Sequence, residues 1–334
     1  MDILSAAWLQ CLAVTVWSCA LTGIFTRYAR RRGMLEIPTD RHSHTEPTPV
    51  GGGAAIVLSL AIMVLLQPPE SAVGGFWTRC LLPGFLMLGL IGWRDDQVSL
   101  SAMLRFAVQV LVSFQLLWCF GSNGLVNGSW LFLISLTYVL WMTNLYNFMD
   151  GSNGMAGFQG VFAGLVLACL FTLAGDLQTA RLAAFLACAC IGFLPWNLGR
   201  ARVFMGDVAS GPLGFAIAVL LLYGVLRGRF SIPVAWLVML VFMCDSTLTL
   251  LTRVMKGERW YNPHKQHLYQ RLIGCGWKHG SVLLLYQLVN LVLVVPSIVV
   301  ALKFPASAVP VACAVTLTLV FGWLLTKQKT GVLA

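Results

Sequence analysis

Uninterrupted apolar runs of about 20 residues recur along the whole chain, and they limit its fold more than any other feature. A run of that length crosses a hydrocarbon core of roughly 30 Å. No water is available there to satisfy the backbone, so each run must be a helix. With 58% hydrophobic and 10% charged residues among 334, and a mean hydropathy of +0.82, no stretch remains that could fold as a soluble domain. The expected fold is all-α: a single domain over 1–334, a polytopic transmembrane helical bundle of about eleven spans, or ten on a stricter count. The spans fall near 4–26, 50–67, 78–93, 103–120, 127–143, 155–174, 180–198, 209–226, 231–251, 281–301 and 306–326. The first reads as a helix that stays, because a basic start and a small-residue cleavage site are both missing.

Charge orients the bundle. Placing Arg27, Arg30, Arg31, Arg32 and Arg41 in the cytoplasm leaves only Arg79, Arg181, Arg227, Arg229 and Lys303 of the 22 Lys+Arg outside. That is the positive-inside asymmetry, and it accounts for the net charge of +10 without nucleic acid. The same orientation puts Glu36, Asp40, Glu46, Asp95, Asp96, Asp150, Asp207, Asp245 and Glu258 at the cytoplasmic face. Acids hardly influence topology, so their gathering there points to a site built from cytoplasmic loops. The ten cysteines lie mostly inside apolar runs, with no pairing framework and no CxxC; neither a disulfide nor a thiolate zinc site is expected. Asn127-Gly-Ser129 reads as a loop turn.

Five loop segments carry chemistry. Pro47 and Pro49 stiffen an entry to Gly51-Gly52-Gly53, a turn able to offer amide N–H groups to an anion. Asp95-Asp96 is an oxygen-rich pair suited to a hard cation, or alternatively a solvated helix end beside Arg94. Asn144, Asn147 and Asp150 lie at i, i+3 and i+6, along one face if helical, followed by a turn at Asn153-Gly154. Asp207 and Ser210 straddle a helix entry, as caps or as metal and ligand groups, with Phe204 offering a stacking face. His264 and His267 share a face if helical; beside Lys265 and Arg271 they suit phosphate better than zinc. Asp245 is either functional or paired with Arg253 for structure alone. His279 is too isolated to count. Carboxylates, basic groups and a site against the bilayer are the parts for phosphoryl chemistry with a lipid reactant.

Arg41-His42-x-x-x-x-Pro47-Thr-Pro49-x-Gly51-Gly52, Asp95-Asp96, Asn147-Phe-Met-Asp150-Gly, Phe204-Met-Gly206-Asp207 and His264-x-x-His267-x-Tyr269-Gln-Arg271 occur in order. Together they resemble the polyprenyl-phosphate N-acetylhexosamine-1-phosphate transferase superfamily (glycosyltransferase family 4). The His-Lys-Gln-His-Leu-Tyr-Gln-Arg segment is most similar to its O-antigen-initiating branch. The resemblance implies that undecaprenyl phosphate attacks a UDP-N-acetyl sugar at the cytoplasmic face of a bacterial inner membrane, releasing UMP. It implies Mg²⁺, with Mn²⁺ able to substitute, held by Asp207 and Asp96. Asp95, Asp96, Asp207, His264 and His267 would be the catalytic groups. Arg41, Asn144, Asn147, Asp150, Phe204 and Arg271 would bind substrate, Phe204 by stacking the uracil. A homodimer is compatible with it. Asn153 departs from a pattern that often carries a second aspartate there. The rival reading is a membrane transporter of a phosphorylated or anionic solute, although acids at helix ends and the lack of an internal repeat fit it poorly. A non-catalytic scaffold is the third.

Overall fold

The computed structural model describes residues 3–37, 47–67, 72–259 and 264–332. Helix α1 (Ile3–Arg32) is followed by a minimal antiparallel ladder, β1 (Leu35–Glu36) with β2 (Thr48–Pro49), in register Leu35 to Pro49. Then come α2 (Ala54–Leu65), α3 (Ala72–Cys80), α4 (Leu82–Asp95), α5 (Ala102–Ser122), α6 (Ser129–Phe148), α7 (Met155–Leu173), α8 (Leu177–Asn197), α9 (Asp207–Leu226) and α10 (Ile232–Met255). The chain ends in α11 (Leu268–Gly274), α12 (His279–Val289), α13 (Val295–Lys303) and α14 (Ala308–Val332). Among the described residues, nine helical segments are long and apolar enough to cross a membrane, as an all-α polytopic bundle requires.

Two expected spans differ. Helix α2 has 12 residues, about 18 Å at 1.5 Å per residue, short of a full crossing, and most of it is buried inside the bundle. The next span is broken at Leu81, just before Pro83. Proline has no N–H for the carbonyl four residues back, that of Arg79, and the Gln115 side-chain amide donates to it instead at 3.1 Å. A π-helical turn, Asn290–Val294, joins α12 to α13 ahead of Pro296, and its buried Asn290 donates to Gln159 at 2.9 Å.

At the centre stands α9, packed against α2, α4, α6, α7 and α10 and buried along nearly its whole length. A helix apolar all round belongs there. Its start lies against Gly92 of α4, where a Cβ would collide with the Asp207 carbonyl, so the ends of α4 and α9 are in backbone contact.

The triple glycine serves packing rather than anion binding. Gly52 and Gly53 donate their N–H groups to the Phe204 and Met205 carbonyls at 3.0 Å, and a Cβ on either would meet Val203 or Ala209. The expectation of no disulfide is overturned as well. Cys80 and Cys119 are bonded, 39 residues apart, at the bundle end opposite Asp95 and Arg105. Each cysteine reads as a small hydrophobe in its own apolar run, and only the pairing of α3 with α5 brings them together.

Candidate active site

Where α4, α6 and α9 end on the basic face, their polar residues interlock. Asp96 caps α4 and reaches across 111 residues of sequence to α9, where its two oxygens accept from the Asp207 N–H at 2.8 Å and the Val208 N–H at 3.2 Å. Those are orphan donors at a helix start, which a carboxylate satisfies well. Gly206, the residue before α9, has φ +80 and lies so close to Asp96 that a Cβ would clash with its carboxylate. Burial and the neighbouring Asp207 push the Asp96 carboxyl well above its usual range, against the two N–H groups that hold it down.

Asp95 points the other way. It accepts from the Leu100 N–H at 2.6 Å and from Arg105 Nη1 at 2.8 Å. The same Arg105 nitrogen donates to Asp207 Oδ2 at 3.0 Å. The other Asp207 oxygen accepts from Asn147 Nδ2 at 2.8 Å, and that amide also reaches Ser210 Oγ at 2.8 Å. Arg94 takes no part: among the described residues it reaches only Gln97, at 3.4 Å. The residue that organises the cluster is Arg105, which sequence reasoning counted only as a topological charge.

A second group lies in the turn after α6. Burial, then Asp207 and Glu36, push the Asp150 carboxyl well up, opposed by the Gly206 N–H it accepts. Asn153 donates to the Gly199 carbonyl at 2.7 Å. Ser152 lies 2.9 Å from His279 Nδ1. His279, isolated in sequence, is thus brought in by the fold. Asn144 and Asn147 sit one turn apart on α6, with Asn144 donating to Gln109 Oε1 at 2.7 Å, whereas Asp150 lies beyond the end of that helix.

The histidine segment is built differently. His264 precedes α11 and His267 is its N-cap, so the two do not share a helix face, although their rings lie 4.8 Å apart. His267 is buried between Phe148 and Tyr269. Burial keeps both imidazoles neutral: His264 is pushed down to about 3, helped by His267 and Arg253, and His267 is lowered in spite of Asp245. Arg271 Nε donates to the Gln266 carbonyl at 3.1 Å. Asp245 is the anchor. Its carboxylate, 2% exposed, accepts from the Leu268 and Tyr269 N–H groups at 2.7 and 3.3 Å, from Tyr286 Oη at 2.7 Å, from Trp323 Nε1 at 3.2 Å and from Thr249 at 3.3 Å. Arg253 is not its partner; Arg253 pairs with Glu258 at 2.9 Å. Held this way, α11 sets Tyr269 Oη on the Phe148 carbonyl at 3.1 Å and against Gly151.

Two adjoining cavities result. A polar one of about 570 Å³ is lined by Asp95, Asp96, Asn147, Asp150, Phe204 and Asp207, with Asn153, Tyr269, Gln270 and His279 on other walls. A smaller one of about 170 Å³ runs between Leu88, Ile91, Phe106 and Pro212, and includes Asn144. Arg105, Asn147, Phe148 and Asp207 belong to both. His264, His267 and Arg271 are not among the described lining residues of either, and Arg41 lies outside the described residues.

For a divalent metal, Asp95 and Asp207 offer carboxylate oxygens converging on one Arg105 nitrogen, whereas both Asp96 oxygens are engaged by α9. Among the described residues there is no group of three or more His, Cys, Asp or Glu placed to hold a metal. Two hard oxygen donors fit Mg²⁺, which commonly takes one or two carboxylates and completes its shell with water and substrate phosphate.

The profile of glycosyl transferase family 4 matches residues 78–225, a stretch that carries Asp95, Asn147, Asp150, Phe204 and Asp207. The chain is 32% identical to a decaprenyl-phosphate N-acetylglucosaminephosphotransferase of Mycobacterium tuberculosis over 308 residues, covering 80% of this chain and 76% of that protein. It is 26% identical to a probable undecaprenyl-phosphate N-acetylglucosaminyl 1-phosphate transferase of Bacillus subtilis, and 23% identical to an undecaprenyl-phosphate alpha-N-acetylglucosaminyl 1-phosphate transferase of Yersinia pestis. Each of those matches covers 84% of this chain and 80% of the relative.

Proposed function

The chain belongs to glycosyl transferase family 4, the polyprenyl-phosphate hexosamine-1-phosphate transferases, and on that premise we propose that it transfers an N-acetylamino sugar 1-phosphate from a UDP-sugar to a polyprenyl phosphate. The observation that carries this reading is the junction of the two cavities. A polar chamber suited to a sugar nucleotide meets an apolar groove suited to a prenyl chain, and Arg105, Asn147 and Asp207 stand where they join. One reactant is water-soluble and the other greasy, and each has its own approach.

An oxygen of the lipid phosphate attacks the sugar-bearing phosphorus. The new P–O bond replaces the bond to the UMP oxygen, and UMP leaves with the electron pair. Arg105, at the junction, receives the lipid phosphate, which is already ionised and needs little help from a base. Asp207 and Asp95 would hold Mg²⁺, which when bound neutralises charge on the diphosphate. Asn147 and the α9 amides capped by Asp96 keep Asp207 aimed at the chamber. Phe204 offers its ring to the uracil, and Asp150 and Asn153 line the same wall. The histidine segment acts through α11, which supplies Tyr269 and Gln270 to the chamber. The motif variant in that segment favours the O-antigen-initiating branch, with undecaprenyl phosphate, an N-acetylfucosamine, N-acetylquinovosamine or N-acetylglucosamine donor, and an active face toward the bacterial cytoplasm.

Membranes carrying the protein, given undecaprenyl phosphate, Mg²⁺ and a panel of labelled UDP-N-acetyl sugars, should form one lipid-linked sugar and release UMP. No product from any donor, with nucleotide binding intact, overturns the proposal.

A further inference from the structure

Two amides in the apolar groove stand apart from the carboxylate cluster. Gln109 of α5 and Asn144 of α6 line the smaller cavity and are not among the described lining residues of the polar chamber. Gln109 lies four residues on from Arg105, and Asn144 three before Asn147, so both sit one turn deeper, about 5 Å, along the same helix faces. The groove therefore carries two polar rungs. The outer one, Arg105 with Asn147, meets at Asp207. The inner one, Gln109 with Asn144, is joined by a hydrogen bond of 2.7 Å between walls that include Leu88, Ile91 and Phe106.

The orientation of the inner pair follows from its partners. Asn144 Nδ2 lies 2.8 Å from the Leu140 carbonyl, which can only accept, so the NH2 group of Asn144 is on that side. The second hydrogen of the same Nδ2 goes to Gln109, which must then offer Oε1 and turn its own NH2 away from Asn144. Among the described residues that NH2 makes no hydrogen bond with the protein. The other glutamine of α5 shows the contrast, since Gln115 spends its NH2 on the Arg79 carbonyl at 3.1 Å. A half-buried amide in an apolar groove, held by its oxygen end, keeps a donor for whatever occupies the groove.

On the transferase reading, on which this inference rests, the occupant is a prenyl chain with a phosphate at one end, and the chain itself offers an amide nothing to donate to. One phosphate oxygen must face Asp207 and the chamber in order to attack, and the others need donors on the groove side. Arg105 and Gln109, neighbours at i and i+4, are spaced to straddle one phosphate. We propose that Gln109 donates from its amide to a non-attacking oxygen of the acceptor lipid's phosphate. Asn144 is then a positioning residue that fixes which end of that amide is left for the lipid. A neutral donor orients the phosphate while withdrawing less charge from the attacking oxygen than a second cation would.

Gln109→Glu separates this role from a merely structural one, because a carboxylate still accepts from Asn144 Nδ2 but has lost the donor; Gln109→Met removes both. Binding of undecaprenyl phosphate to the full chain in detergent, with no sugar donor, should weaken about tenfold in either variant, as loss of one hydrogen bond to a charged group implies. Binding of undecaprenol, which lacks the phosphate, should be equal in all three proteins. In the transfer assay the KM for the lipid should rise about tenfold, with the KM for the UDP-sugar unchanged. Asn144→Leu should raise the lipid KM about threefold and keep kcat. An unchanged preference for the phosphate over the alcohol in both Gln109 variants overturns the proposal. So does a wild type with no such preference, a loss confined to the KM for the UDP-sugar, or a Gln109→Met protein that loses thermal midpoint alone. A wild type that forms no lipid-linked sugar from any donor defeats the transferase reading instead, and the binding comparison still decides the role of Gln109.

Discussion

The carboxylate cluster and the histidine segment are both rich in motif residues, yet they use them in opposite ways. At the ends of α4, α6 and α9 the motif side chains reach the chamber and one another: Asp95, Asn147 and Asp207 all line it. In the histidine segment the motif side chains turn inward. His267 is buried as the cap of α11, and Asp245 spends both oxygens on five donors from α10, α11, α12 and α14. What that segment presents to the chamber is Tyr269 and Gln270. One region performs chemistry with its conspicuous residues; the other uses them to hold a small helix in place.

The sharpest way to break this comparison is to exchange the two kinds of aspartate. Asp207→Asn should lower turnover by about 10³-fold, because it removes a charged group acting on the transferred phosphoryl. Its thermal midpoint should stay close to that of the wild type. Asp245→Leu should show the reverse signature, a stability loss of about 3 kcal/mol from stranding buried donors, read by thermal unfolding in detergent. If Asp245→Leu keeps its midpoint and loses only turnover, the distinction fails.

A smaller effect tests the link from α11 to the chamber. Gly151→Ala places a methyl against the Tyr269 hydroxyl. It should raise the KM for the UDP-sugar about 10-fold with a lesser fall in kcat, since a hydroxyl at the end of a ring must shift.

The Asp150 carboxyl gives a pH test. Asp150 is held above the ordinary carboxylate value of about 3.9. The folded protein therefore binds this proton more tightly than the unfolded chain does, and stability falls as pH rises through that window. Asp150→Asn should raise the metal-free thermal midpoint at pH 8 and leave it nearly unchanged near pH 4. Least of all should change in Arg94→Gln, within about twofold in turnover and 0.5 kcal/mol in stability. This cation beside Asp95 and Asp96 contacts neither.

Much of the site was legible because polar residues are conspicuous in apolar sequence. Asp95, Asn147, Asp150, Phe204 and Asp207 were each identified from their own loop, and the fold gathers them. Arg105 was not, because one arginine at a helix start looks like any orientation charge. His279 was not, because its partner Ser152 lies 127 residues away. Asn144 and Asn147 share a face of α6 as their spacing predicts, but Asp150 falls beyond the end of that helix. The glycine turn was read as an anion cradle, yet its amides are taken by the Phe204 and Met205 carbonyls.

By itself the sequence determined the solvent. Apolar runs of membrane length leave the backbone no partner but itself, so helices follow from composition and length alone. It also determined which loops carry carboxylates, since a charge in such surroundings persists only where something uses it. Only the tertiary structure decided which way each oxygen points. Asp95 and Asp96 are neighbours in sequence, but one faces Arg105 and the other caps α9, 111 residues on. Local pattern contains no term for a partner so distant, and the orientation arises only when α4 and α9 pack into backbone contact.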